Sequence, residues 1–167
     1  MKPVVFLVDD DASFLTAVAR LLRASGFTVQ PFAAAQEFLA QLREDTPGCV
    51  IADLQMPAMS GLDLQAALAK TGNAMPVIFL TGHGDIPSTV QAMRDGAEDF
   101  LEKRAPKETL LAAVRRALAR DAMDTGAAGV MIAPAPHLRT DDQITAYFAQ
   151  AVEAVGPDVP WALQDYP

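Results

Sequence analysis

Six residues of this 167-residue chain have the types and spacing to do chemistry: Asp9, Asp10 and Asp11 in one run, Asp53 alone, then Thr81 and Lys103. Carboxylates crowded together repel, and their pKa values rise unless a cation joins them. Hard oxygen donors, few in number and carried on loops, suit Mg2+, which keeps several waters and accepts a phosphate oxygen. A lysine adds a compact positive charge, and a threonine hydroxyl adds a hydrogen bond. Gathered in one place, these groups would transfer a phosphoryl group. A carboxylate would be the nucleophile and form an acyl phosphate. Metal and lysine would neutralise charge on the transferring oxygens.

The surrounding elements must do the gathering. Val4 to Val8 is a β-branched, apolar run that ends in the acidic triplet, and it reads as a strand buried on both faces. Phe14, Leu15, Val18, Leu21 and Leu22 follow at helical spacing, and Gly26 stops that helix. The same alternation repeats. Strands are predicted at Phe27 to Phe32, Cys49 to Ala52, Pro76 to Thr81 and Asp99 to Lys103. Helices are predicted around Phe38 to Leu42, Leu62 to Leu68, Ser88 to Asp95 and Leu110 to Leu118. Five β–α repeats imply an α/β fold, a parallel sheet covered on both faces. Ligands of such sheets bind beyond the carboxyl ends of the strands. Asp9, Asp10, Asp53, Thr81 and Lys103 all fall there. Asp53 is expected at the end of a buried strand, facing solvent, with Pro57 turning the chain away.

Composition narrows the setting. Apolar content of 51% is enough for a full core, yet no uninterrupted apolar stretch reaches the roughly 18 residues a membrane span needs. The first residues lack the pattern of a signal peptide, and one cysteine makes no disulfide framework. A cytoplasmic, reducing location is the expectation. A net charge of −8 argues against direct nucleic-acid binding, which needs clustered Lys and Arg. The charge is uneven. Residues 1–121 carry 12 basic and 15 acidic groups, residues 122–167 one basic and six acidic, and the shift marks a boundary.

Four motifs in order carry a resemblance: Val8-Asp9-Asp10-Asp11, Asp53-Leu54-Gln55-Met56-Pro57 through Gly61, Leu80-Thr81-Gly82-His83-Gly84, and Asp99-Phe100-Leu101-Glu102-Lys103. Over residues 3–120 the chain resembles the receiver domain of two-component response regulators, most closely the FixJ-like group. The resemblance implies a flavodoxin-like (βα)5 doubly wound sheet of order 2-1-3-4-5. It implies that Asp53 accepts the phosphoryl group, that Asp10 binds Mg2+ directly, that Asp9 supports the ion through water, and that Gln55 offers its backbone carbonyl. Thr81 and Lys103 would bind the phosphoryl oxygens, and Phe100 would be an aromatic switch. The implied partner is a sensor histidine kinase, with possible homodimerisation through helix 4, strand 5 and helix 5. A phosphorylation-independent docking module with the same fold is the alternative.

One position departs from the family. Receivers usually carry Pro directly after this lysine, often with a cis bond, whereas here Arg104 follows Lys103. A cis bond before a non-proline residue costs roughly 2.5–4 kcal/mol, so a trans Lys103–Arg104 bond and an altered loop are expected. Plainer roles are expected elsewhere. Asp11 reads as a helix N-cap, His83 as a loop histidine, Cys49 as a small buried apolar residue, and Arg115, Arg116 and Arg120 as a solvated helix face.

Residues 122–167 break the pattern. Gly129 to Pro134 and Val159 to Leu163 read as strands, with Ile144, Phe148, Ala151, Val152 and Val155 as the apolar face of a helix between them. This β-α-β tail resembles an internal fragment of the dihydrodipicolinate synthase/N-acetylneuraminate lyase family. The match covers far less than the roughly 250 residues of such a barrel. The family's Schiff-base lysine would fall beyond Pro167, and Gln164 stands at its tyrosine position. No aldolase activity is expected. A junction of two unrelated sequences, a chimera, is the expected origin, with the tail not an independent domain.

Overall fold

A computed structural model describes residues 2–43, 46–82, 86–124, 130–132 and 161–163. The first strand, β1 (Val4–Val8), is followed by α1 (Ala12–Ala24), β2 (Thr28–Phe32), α2 (Ala35–Gln41), β3 (Gly48–Ala52), α3 (Gly61–Lys70) and β4 (Val77–Thr81). The alternation continues with α4 (Ile86–Arg94), β5 (Asp99–Glu102) and α5 (Lys107–Asp124). Five parallel strands form one sheet of order β2-β1-β3-β4-β5, as the repeats and the resemblance led us to expect. The three inner strands are apolar except for Thr81 at the end of β4, and all their residues but Val4 are buried. The edge strand β2 exposes Thr28, Gln30 and Pro31, and an edge position is where proline fits a sheet.

Helix α1 shows how local sequence sets these elements. Asp11 caps it, accepting from the Ser13 N–H at 2.9 Å and the Phe14 N–H at 3.1 Å. Leu15, Val18, Ala19 and Leu22 recur at helical spacing and are buried. Gly26, at φ +91°, closes the end: its N–H donates to the Arg23 carbonyl, and the Phe27 N–H donates to the Leu22 carbonyl. The chain then turns directly into β2.

Two apolar clusters flank the sheet. On one face Leu15, Val18, Leu22, Val114 and Ala117 from α1 and α5 pack on Val5, Leu7, Ile51 and Ile78. On the other, Phe38, Leu64, Leu68 and Ala92 from α2, α3 and α4 pack on Phe6, Val8, Val50 and Phe79. Phe38 and Phe79 are fully buried. Burying a side chain of that size stabilises by about 1.5–3 kcal/mol, so these layers, rather than the polar edge, hold the fold. Cys49 is buried among them as expected, and burial pushes its thiol pKa well up.

The expected solvated face of α5 also carries ion pairs. Arg115 is exposed, but Arg116 pairs with Asp99, and Arg120 with Glu98 at 3.0 Å. Both guanidinium groups stay partly exposed while they meet carboxylates at and just before the start of β5. Helix α5 also runs through the charge boundary to Asp124. In its last turn the buried Asp121 accepts a hydrogen bond from the Gly48 N–H at 2.8 Å, across 73 residues of sequence.

In the tail, β6 (Val130–Ile132) and β7 (Trp161–Leu163) pair in parallel as a two-stranded sheet. A β-α-β unit requires that orientation. The helix expected over residues 144–155 lies outside the described residues, as does His83.

Candidate functional site

The site lies at the carboxyl edge of the sheet. Val8 stands opposite Ala52 in the β1–β3 register, so the residues that follow, Asp9 and Asp53, emerge side by side. Two backbone bonds prolong the ladder past the strand ends: the Asp53 N–H donates to the Val8 carbonyl at 2.9 Å, and the Asp9 N–H to the Phe32 carbonyl at 3.1 Å. The sheet therefore sets the separation of the two carboxylates. Asp10, exposed, completes a group in which one carboxylate oxygen from each of Asp9, Asp10 and Asp53 lies within 4.8 Å of the others.

Lys103 reaches this group from the end of β5. Its Nζ lies 2.6 Å from Asp9 Oδ2 and 2.8 Å from Asp53 Oδ2. Burial alone would lower the lysine pKa, but the hydrogen bonds to Asp53 and Asp9 outweigh it and hold the ammonium above its usual range. Asp9 is moved up by burial, against the pull of Lys103 and of the Asp11 N–H on Asp9 Oδ1 at 2.9 Å. At this spacing, and in the dielectric near a protein surface, two unit charges interact by about 3–4 kcal/mol. The bridging ammonium offsets that repulsion.

Asp53 was expected to face solvent. It is 8% exposed, because the Lys103 ammonium covers one oxygen and the Gln55 N–H approaches the other at 3.2 Å. The loop beyond is compact: Pro57 accepts from the Met59 N–H, Ala58 adopts φ +66°, and the Gly61 N–H returns to the Leu54 carbonyl at 3.0 Å. Ser60 and Asp63 then form a capping box that starts α3. Gly61 is required there for space. A Cβ would stand 2.4 Å from the Asp53 carbonyl oxygen and 2.8 Å from the Phe79 ring.

Thr81 ends β4, buried, and its carbonyl accepts from the Lys103 N–H at 2.8 Å. Phe100 is half-buried, its ring 6.1 Å from Phe79. The Lys103–Arg104 peptide is trans, as expected from the missing proline. The Ala105 N–H donates to the Glu102 carbonyl at 2.9 Å and closes a tight turn with Lys103 and Arg104 at its centre. That turn still delivers Lys103 to Asp53. One contact had no signal in the sequence. The Phe14 ring lies beneath the Lys103 ammonium, 4.4 Å from Nζ to centroid, although Phe14 reads as an ordinary apolar position of α1.

Residues 5–115 match the response regulator receiver domain family. The chain belongs to that family. The receiver is 46% identical over 117 residues to the response regulator protein TmoT of Ectopseudomonas mendocina, covering 70% of this chain and 53% of that protein. It is 42% identical over 118 residues to the transcriptional regulatory protein FixJ of Azorhizobium caulinodans, covering 71% and 56%. The chain thus spans about half the length of the curated relatives it matches. Among solved structures, the crystal structure of FixJ-N superposes with a TM-score of 0.67 at 36% identity, covering 71% of this chain and 94% of that one. No helix among the described residues is long and apolar enough to cross a membrane.

The receiver's acidic group suits a hard divalent cation. Its donors are carboxylate oxygens on loops. Three carboxylates and one ammonium leave two negative charges, which one divalent ion cancels. The bridging position of Lys103 already shows positive charge drawn between Asp9 and Asp53.

Proposed function

We propose that this receiver is a switch driven by phosphorylation of Asp53, with a phosphohistidine of a sensor histidine kinase as donor. One observation carries the reading: Asp53, nearly buried at the end of β3, keeps a 2.8 Å hydrogen bond to Lys103 beside the carboxylates of Asp9 and Asp10. An Asp53 oxygen attacks phosphorus, an O–P bond forms, the donor's P–N bond breaks, and the imidazole leaves as the neutral base once protonated. Asp9, Asp10, Asp53 and the Gln55 backbone carbonyl would hold Mg2+. When bound, the ion supplies positive charge to the phosphoryl oxygens. Lys103 would add positive charge to the same oxygens, and the Thr81 hydroxyl would donate a hydrogen bond.

The output face in this reading comprises α4, β5 and α5, with Phe100 as the aromatic that follows Thr81 inward. On α4, Val90 and Met93 are 42% and 47% exposed, apolar surface suited to a kinase, a downstream protein or a second copy of the chain. In this reading the receiver expected over residues 1–121 ends with α5 at Asp124, and the tail after it is a separate piece. The parallel pairing of β6 with β7 supports that division. The net charge of −8 gives the chain itself little attraction for a nucleic-acid backbone. A reducing cytoplasm suits the single buried thiol.

The test is incubation with Mg2+ and a small acyl phosphate. The expected product is an acid-stable, base-labile phosphate on Asp53 that Asp53→Asn abolishes. A protein that stays unlabelled yet still binds a kinase would instead be a phosphorylation-independent docking module.

A further inference from the structure

We propose that Phe14 is a positioning residue for phosphoryl transfer, the face of its ring holding the Lys103 ammonium against Asp53. This rests on the role given to Lys103 above. Lysine is a point charge on a flexible four-carbon stem, so something must restrict it. The turn closed by Ala105 and Glu102 and the Lys103 N–H bond to Thr81 restrain only the backbone. Among the described residues the side chain meets Asp9, Asp53 and the ring of Phe14 at 4.4 Å.

Two of those partners change during the reaction. Asp53 would become an acyl phosphate, and Asp9 would help to hold the cation. The ring does not change. An ammonium within about 6 Å of a ring centroid is attracted by the negative face of the π system, more strongly where water is excluded. The Lys103 side chain is only 18% exposed. Phe14 is itself held firmly. It lies in the first turn of α1, its N–H is capped by Asp11, and its side chain packs on the cluster formed by α1, α5 and the sheet. The ring keeps the ammonium at the nucleophile while the carboxylates exchange partners.

Plain core packing is the competing explanation, and chemistry separates the two. Phe14→Leu keeps apolar bulk and removes the π face, whereas Phe14→Tyr keeps both. Asp53 phosphorylation by acetyl phosphate with Mg2+, measured on the full chain, should slow by about fivefold to thirtyfold in Phe14→Leu. Phe14→Tyr should restore the rate to within about twofold. In a Lys103→Ala background, Phe14→Leu should make no further difference. In the native protein, NMR should show the Lys103 methylene protons next to Nζ shifted upfield by the ring. This readout needs neither a variant nor any phosphorylation.

Equal rates in the native protein and Phe14→Leu would overturn the proposal, as would an equal loss in the Lys103→Ala background or an unshifted methylene signal. If the native protein takes no phosphate on Asp53, the proposed function falls and the transfer role with it. The methylene signal distinguishes that outcome from failure of the ring contact.

Discussion

Removing the Lys103 ammonium should move two quantities in opposite directions. It bridges Asp9 and Asp53 at 2.6 and 2.8 Å, so it would compete with a divalent cation for the same oxygens. Lys103→Ala should therefore tighten Mg2+ binding by about tenfold, measured by calorimetric titration. The same change removes a donor from the transferring oxygens and should slow phosphorylation of Asp53 by about 10²–10³-fold. Weaker Mg2+ binding in the variant would show that the ammonium does not occupy the space between the carboxylates. The carboxylates themselves were legible in the sequence because an acidic run or a lone acid at the end of an apolar strand is a local pattern. Phe14 was not, since an aromatic at a helical apolar position looks the same whether it meets a leucine or an ammonium.

At the scale of elements, the loop from Asp53 to α3 is set by a close approach. Gly61 lies under the Asp53 carbonyl and against Phe79, and a methyl group there would overlap both. The Asp53 carbonyl is backbone, so the strain cannot be relieved by a side chain turning away. Gly61→Ala should destabilise the protein by about 1–3 kcal/mol in urea unfolding. It should also slow phosphorylation, because the overlapping atom belongs to the nucleophile's own residue. Unchanged stability would mean that the loop has room the geometry denies it. The sequence marks Gly61 as following a turn, whereas the reason for glycine lies in Phe79 on the neighbouring strand.

In the receiver as a whole, a contact at the far end of the sheet joins α5 to β3. Asp121, in the last turn of α5, accepts from the buried Gly48 N–H at the start of β3, and burial raises its pKa. A chain ending after Arg120 loses that acceptor and leaves a buried donor unsatisfied, which costs about 1–3 kcal/mol. A chain ending after Asp124 keeps it and should match the receiver stability of the full chain within about 0.5 kcal/mol, by chemical denaturation. Failure of the longer form to fold would show that residues 125–167 are needed by the receiver.

Period and punctuation in the sequence determined the five β–α repeats, the sheet order through the resemblance, and the strand ends where Asp9, Asp10, Asp53, Thr81 and Lys103 fall. Those are local properties: apolar runs, acids that stop them, and glycines that end helices. Only the tertiary structure decided that Asp53 is buried rather than open, that Arg116 and Arg120 pair with Asp99 and Glu98, and that α5 passes the charge boundary to Asp124. It likewise decided that Lys103 rests on Phe14. Each depends on which residues distant in the chain the parallel register brings together, and no window of sequence contains both partners.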